Sequence, residues 1–354
     1  MPDNAGPDNA GPDNAEPDNA GPDNAGPDNN AGPDNTGPDN IRPDNARPDH
    51  TGPDNAKPDH AGPKRDVSPR SVVPRPARER LRAARGFVFD LDGTLVLGDR
   101  HNRGLTPLPG ALEITRWAAR RQRPFVVFTN GTTKTPQELA RTLRGMGFDL
   151  PDDAVMTPAS SAVRVLTRRG HRRVLVLGGE GLTAPLAAAG LEAVPAGEPK
   201  PRADAVLVGW YPDFTLAALE AACHAVWDGA EVYSASQSRF FATAQGRAIG
   251  TSRAISAMLR SLTGCRVRLV GKPSLDALRS AAGRLGLRPA ELAVVGDDPE
   301  LEVPMAHRGG ALAIAVLSGL GAAGAYDRLP PARRPHLQVR GVDELLSICQ
   351  EQER

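Results

Sequence analysis

The chain has 354 residues, with 43 Lys and Arg against 42 Asp and Glu, a formal charge of +1 and only 4% aromatic residues. Basic residues are spread as many arginines with few aromatics between them, which argues against a nucleic-acid surface. No apolar run reaches the length of a membrane span, no signal-peptide pattern opens the chain, and Cys223, Cys265 and Cys349 form no CxxC pair or disulfide framework, so a cytoplasmic protein without membrane partners is expected.

The near-neutral total conceals two unlike parts. Residues 1–62 repeat the unit Pro-Asp-Asn-Ala-Gly and its variants twelve times, at a net charge of −10, which leaves +11 for the remainder. With Ile41 as its one large aliphatic residue and no aromatic, the repeat cannot bury enough surface to offset its ordering entropy and reads as disordered. Residues 63–85 are basic and Pro-rich and read as a linker. A start site at Val67, Val72 or Val73 is an alternative reading of this region.

From residue 86 the chain alternates strand and helix. Phe87-Val88-Phe89 is a short buried strand that runs into Asp90 and Asp92, followed by Gly93 and Thr94. A loop over 96–109, a helix over 111–121, a buried strand over 125–128 and a helix over 136–146 follow. Further strands are expected at 174–177, 205–208, 232–233 and 240–242, with helices at 159–168, 215–227 and 251–262. The pattern then continues with a strand at 267–270, a helix at 274–285, a strand at 292–295, a helix near 302–308, a strand at 311–316 and a helix at 342–350. Such βαβα alternation specifies an α/β fold built on parallel sheets. We expect 86–156 and 265–354 to form one core and 157–264 to be a second α/β unit inserted into it.

Four strand ends carry chemistry: Asp90 with Asp92, Thr129 with Asn130, Lys272, and Asp297 with Asp298 and Glu302. In an open parallel sheet the carboxyl ends of the strands face the ligand crevice, so these groups can meet despite their separation in sequence. Carboxylates at two strand ends suit Mg²⁺, and a lysine, a threonine hydroxyl and backbone N–H groups suit phosphoryl oxygens. Each has a plain structural alternative: an Asx turn at Asp92-Gly93, a surface lysine before Pro273, a helix cap at Asp297-Asp298.

In order and placement, Asp90-Leu91-Asp92-Gly93-Thr94, Thr129-Asn130, Gly271-Lys272-Pro273 and Gly296-Asp297 resemble the motifs of the haloacid dehalogenase-like (HAD) hydrolase superfamily. Pro109-Gly110-Ala111, Leu177-Gly178-Gly179-Glu180-Gly181-Leu182, Val208-Gly209 and Leu317-Ser318-Gly319 are similar to its class IIA, p-nitrophenylphosphatase-like subgroup. The resemblance spans about residues 86–350 and implies a Rossmann-like core with an inserted α/β class II cap. It also implies a Mg²⁺-dependent phosphatase for small phosphorylated metabolites, in which a homo-oligomer is allowed. Asp90 would be the nucleophile, Asp92 the general acid and base, and Lys272 the charge partner of Asp90 and phosphate. Thr129 and Asn130 would bind phosphate with Lys272. Asp90, Asp92 (through its carbonyl) and Asp297 would hold the metal. Departures from the subgroup fall at Glu302, which replaces an aspartate and leaves either it or Asp298 to support the metal, and in the cap. There Ser236 and Ser238 replace an Asn and an Asp, and Tyr211 replaces an Asp, so these three are expected to touch substrate.

Three rival readings are compatible with the sequence. A HAD-like binding or regulatory protein would keep the fold with little turnover. A dinucleotide-binding oxidoreductase would use Gly178-Gly179-Glu180-Gly181, which lacks the full G-x-G-x-x-G spacing. The acidic repeat could itself be the functional element.

Overall fold

The computed structural model describes residues 74–99, 103–243, 246–320 and 324–353. The acidic repeat, the first part of the linker and the alternative start positions lie outside the described residues. The first described element, α1 (Arg75–Ala83), falls within the stretch read as linker. Its helical face is set by Ala77, Leu81 and Ala84, which are buried, and the Arg80 guanidinium donates to the Gly310 and Ala311 carbonyls at 3.0 Å each. The apolar positions recur at i, i+4 and i+7, a helical spacing that the surrounding arginines and prolines hide.

β1 (Gly86–Phe89) is followed by a small antiparallel hairpin, β2 (Val96–Leu97) with β3 (Thr106–Pro107), inside the segment expected to be loop. Then come α2 (Ala111–Arg120), β4 (Phe125–Phe128), α3 (Pro136–Gly145) and β5 (Val155–Met156). The Thr135 side chain caps α3 by accepting from the Glu138 N–H, while Glu138 accepts back from the Thr135 N–H. The next segment contains α4 (Pro158–Arg168), β6 (Arg173–Leu177), α5 (Glu180–Ala188), β7 (Glu192–Pro195), β8 (Ala205–Val208), α6 (Leu216–Trp227) and β9 (Glu231–Ser234). It ends with β10 (Phe240–Thr243), β11 (Gly246–Ile249), α7 (Thr251–Thr263) and β12 (Val267–Leu269). The chain closes with α8 (Leu275–Arg284), β13 (Leu292–Gly296), α9 (Glu302–Gly309), β14 (Leu312–Val316), β15 (Leu337–Val339) and α10 (Val342–Glu351).

The strands form two main sheets. The first has the order β15-β14-β13-β1-β4-β5 and every pairing in it is parallel. Its central strands are buried on both faces, as crossover helices on both sides of a parallel sheet require. Phe87 and Phe89 face one helical layer containing Leu81, Ile114, Leu143 and Leu345, whereas Val88 faces the other, with Leu278 and Val303. The second sheet, β12-β9-β8-β6-β7, is also parallel and is covered by α6 and α7 on one face and by α4 and α5 on the other.

Two strand placements differ from expectation. Val267–Leu269 pairs with β9 and so belongs to the second sheet, although its sequence position suggested a return to the first. An apolar triplet carries no information about which sheet it joins. Phe240–Thr243 pairs with β11 in a separate two-stranded antiparallel hairpin and not with the parallel strands. No helix among the described residues is long and apolar enough to cross a membrane.

The strand order places the site. β1 lies between β13 and β4, with Phe89 opposite Val295 on one side and Val127 on the other. The residues that follow these three strands, Asp90, Thr129 and Asp297, therefore emerge side by side at one edge.

Candidate active site

Asp90 sits immediately beyond β1, its N–H donating to the Val295 carbonyl at 2.8 Å. Its Oδ2 accepts from the Thr94 hydroxyl at 3.0 Å and its Oδ1 from the Lys272 ammonium. A tight turn returns Thr94 to this position: the N–H groups of Leu95 and Val96 both reach the Leu91 carbonyl, and Gly93 turns with a φ of 89°. That positive φ favours glycine, and space demands it as well, since a Cβ at Gly93 would lie 2.5 Å from Asp297 Oδ2. Asp92, two residues on, accepts from the Thr129 hydroxyl at 2.8 Å.

Lys272 arrives from a loop locked to the first sheet by Asn130. The Asn130 amide accepts from the Lys272 N–H at 2.9 Å and donates to the Lys272 carbonyl at 3.0 Å. Gly271 makes this possible, because a Cβ there would overlap the Ala235 carbonyl and the Asn130 amide. The Lys272 side chain is 1% exposed, and its Nζ lies 2.6 Å from Glu302 Oε1 in addition to its contact with Asp90.

Asp297 follows β13. Its Oδ2 accepts from the Leu320 N–H at 2.6 Å and its carbonyl from the Tyr326 hydroxyl at 2.8 Å. Asp298 Oδ1 takes the Glu300 N–H at 2.7 Å, and Glu302 Oε2 takes the Asp298 N–H at 3.2 Å. Glu302 Oε2 is thus hydrogen-bonded within the protein, while Oε1 meets the Lys272 ammonium as an ion pair.

Four acids in this cluster have raised pKa values. Burial, then the Asp90 charge, pushes Asp92 up to about 6 against the opposing Thr129 hydrogen bond. Burial also lifts Asp298 to about 6 and Glu302 to about 8, the latter in spite of Lys272. Asp297 is raised well above the usual carboxylate range by burial and by the charges of Asp90 and Glu302. Lys272 is shifted the other way from what burial alone would do: Asp90 and Glu302 hold its ammonium charged. The cluster has more acid than cation, and a bound cation would relieve the difference.

These observations fit a magnesium ion. Asp297 forms no ion pair with any described side chain, and its carboxylate is approached so closely by Gly93 and Gly319 that a Cβ at either position would collide with it. Among the described residues no group of three or more His, Cys, Asp and Glu side chains is placed to hold a metal ion by itself. Two carboxylates, of Asp90 and Asp297, would with the Asp92 carbonyl be a sparse oxygen set, and Mg²⁺ suits such a set because it keeps several waters.

One cavity of about 90 Å³ joins the predicted groups: Asp90, Asp92, Thr129, Asn130, Lys272, Asp297, Asp298, Glu302, Ser236 and Ser238 all line it. Tyr211 does not. Its ring packs edge-on against Phe214 at 6.2 Å, on the apolar cluster beneath β8, and Trp210 lines the cavity instead. The Trp210 N–H donates to Thr132 Oγ1 at 2.8 Å, which ties this segment to the loop after β4. Thr251, Ser252 and Leu320 also line the cavity and carry no motif that would single them out. The nearest signal in the sequence was the start of α7 at Gly250-Thr251-Ser252.

A parallel sheet whose strand ends gather paired acids, a buried lysine and a threonine in one closed pocket defines a phosphohydrolase of Rossmann-like architecture. A haloacid dehalogenase-like hydrolase family model matches residues 87–192, and a second, HAD-hydrolase-like, matches 269–345. Human chronophin is 30% identical over 291 residues, covering 76% of this chain and 94% of chronophin. The crystal structure of 4-nitrophenylphosphatase from Thermotoga maritima aligns with a TM-score of 0.67 at 26% identity, over 75% of this chain and 98% of that one. Glycerol phosphate phosphatase from Mycobacterium tuberculosis, in complex with magnesium, aligns at 0.64 and 28% identity over 76% and 77% of the two chains. The chain belongs to the haloacid dehalogenase-like hydrolase family, in its class IIA, p-nitrophenylphosphatase-like subgroup, and is a HAD-like phosphatase.

Proposed function

We propose that the chain hydrolyses small phosphate monoesters in a Mg²⁺-dependent reaction that passes through an aspartyl-phosphate on Asp90. The observation that carries this reading is the pairing at the end of β1. Asp90 is fixed between Lys272 and Thr94, and the neighbouring Asp92 has a pKa near 6. A carboxylate held by two donors is oriented for attack. A second acid titrating near neutrality can give a proton in one half-reaction and take one in the other.

In the first half-reaction an Asp90 oxygen forms a bond to phosphorus as the ester P–O bond breaks, and Asp92 gives its proton to the leaving oxygen. In the second, Asp92 removes a proton from water as the water oxygen attacks phosphorus, releasing inorganic phosphate and restoring the Asp90 carboxylate. Lys272 offsets negative charge on Asp90 and on the phosphoryl oxygens. Thr129 orients Asp92 through its 2.8 Å hydrogen bond and faces the same cavity, as does Asn130, whose amide is committed to the Lys272 backbone. Asp90, Asp297 and the Asp92 carbonyl would hold Mg²⁺, which when bound supplies the positive charge that lets an anionic nucleophile approach an anionic ester. We assign Glu302 to the lysine rather than to the metal, and Asp298 to outer support of the metal.

We assign the second sheet and its helices, residues 157–270, as the inserted cap that closes the pocket. The reading as a binding protein without turnover leaves Asp92 unexplained, since a second acid so close to Asp90 costs stability and contributes little to holding a phosphate. The decisive experiment uses Asp90→Asn. Wild-type protein with Mg²⁺ and p-nitrophenyl phosphate should release phosphate and yield a hydroxylamine-sensitive phosphoprotein on acid quenching, and the variant should do neither. Wild-type turnover in the variant would overturn the assignment. Removing residues 1–66 should leave the rate unchanged, which separates this reading from one in which the repeat is the functional element.

A further inference from the structure

The cavity has two chemically unlike poles. All five carboxylates that line it, Asp90, Asp92, Asp297, Asp298 and Glu302, come from the first-sheet side. The opposite pole has hydroxyls and a helix start but no acid: Ser236, Ser238, Thr251 and Ser252, beside Trp210. We propose that this second pole, the N-terminus of α7 with the hydroxyls of Ser238, Thr251 and Ser252, receives an oxyanion that the substrate carries in addition to its scissile phosphate. The oxyanion is a carboxylate or a second phosphate. The proposal rests on the phosphatase reading above and names the substrate class of the same pocket.

α7 has 13 residues and begins after Gly250, which offers no side-chain cap. The N–H groups of Arg253 and Ala254 both turn back to the Gly250 carbonyl, at 3.1 and 3.2 Å, so the N–H groups of Thr251 and Ser252 precede the first helical hydrogen bond. Such a terminus carries partial positive charge and favours an anion. Ser252 supplies a separate sign of a ligand. It is 7% exposed and lines the cavity, and its hydroxyl has no hydrogen-bond partner among the described residues. A hydroxyl with no partner in the protein, on a residue that lines the cavity, is free to donate to a ligand oxygen.

The helix start is held firmly against the loop that replaces the subgroup's acid. Gly250 N–H donates to the Arg239 carbonyl at 2.7 Å, and a Cβ at Gly250 would overlap the Ser238 carbonyl. Arg253 reaches back to the Gln237 carbonyl at 2.9 Å. Residues 234–263 contain four arginines (Arg239, Arg247, Arg253 and Arg260) and no Asp or Glu. A neutral polyol could bond to the serine hydroxyls, but it would gain nothing from the partial charge of the helix terminus.

The test compares three matched compounds: propyl phosphate, its omega-carboxylated counterpart and the corresponding propanediol bisphosphate. Turnover of each by the full-length protein with Mg²⁺ gives the preference in kcat/KM. Calorimetric binding of the analogous non-hydrolysable phosphonates gives it independently of turnover. One or both acidic compounds should be preferred over the neutral one by about tenfold or more, the scale of a hydrogen bond to a charged group. The arm that shows the preference identifies the oxyanion. Ser252→Ala should shrink that preference and Ser252→Asp should reverse it, with Thr251→Asp as the second variant should Ser252→Asp fail to fold. Equal affinity of the neutral and both acidic phosphonates, or a preference unmoved by these substitutions, would overturn the proposal. Absence of turnover for all three esters, with the binding preference intact, would instead overturn the phosphatase reading alone.

Discussion

The Lys272 ammonium lies 2.6 Å from Glu302 Oε1 while also contacting Asp90 Oδ1, so one buried cation is shared by two acids. The longer glutamate reaches the lysine from the first turn of α9, and this gives it a role different from that of Asp297. Glu302→Gln should lower kcat by about tenfold, the scale of a charge-assisted hydrogen bond, while leaving the Mg²⁺ concentration for half-maximal rate unchanged. Asp297→Asn should raise that concentration at least tenfold. A Mg²⁺ titration of both variants checks the pair, and the reverse pattern would make Glu302 a metal ligand.

Asp90→Asn should reduce turnover by about 10³-fold or more, the order seen when a reacting group is removed from an active site. The fold should persist, because Asn retains the Thr94 hydrogen bond and Glu302 still pairs with the Lys272 ammonium. Circular dichroism together with phosphate release separates loss of chemistry from loss of structure.

The strand ends at Asp90, Thr129, Lys272 and Asp297 were legible because short apolar runs stop abruptly in small polar or charged residues. Their adjacency is expected from the strand ends of a parallel sheet and from the family resemblance, not from local pattern, which does not encode the strand order β13-β1-β4. For the same reason Val267–Leu269 was assigned to the wrong sheet: β-propensity specifies a strand but not its neighbour. Tyr211 and Trp210 were separable only in three dimensions, because consecutive residues of a non-helical segment face opposite sides, and here Trp210 takes the cavity side. β5 and β15 went unread because they have two and three residues, and β7 because the polar Glu192 breaks its apolar pattern. Thr251 and Ser252 sit in an ordinary helix start, and only the closure of the second sheet over the first makes them part of a site.

Gly319 and Gly93 flank Asp297 so closely that neither position has room for a Cβ. Gly319→Ala should therefore displace the Asp297 carboxylate, or shift the loop that supplies the Leu320 N–H. The expected cost is about 1–3 kcal/mol of stability, typical of overpacking, with a raised Mg²⁺ requirement. Thermal unfolding and a metal titration of the same variant measure both effects. Gly179, which has open space where its Cβ would go, is the control, and Gly179→Ala should leave both unchanged.

The raised acids set a pH dependence of stability whose sign can be stated. Asp92 and Asp298 titrate near 6 in the folded chain against an ordinary value of 3.8, so between these limits the folded state holds more protons than the unfolded one. Stability then falls as pH rises, because its slope with pH follows the protons bound when unfolded minus those bound when folded. The contribution is fully present below about pH 4 and is lost as pH passes through about 6. Glu302, near 8, extends the loss upward. In EDTA the melting temperature should therefore drop between about pH 5 and pH 8, by an amount reflecting a few kcal/mol across the cluster. Adding Mg²⁺ should flatten that slope, because a cation between Asp90 and Asp297 stabilises the ionised forms that burial disfavours. A metal-free melting temperature that rises over the same interval would show that these acids are already ionised and compensated in the folded chain.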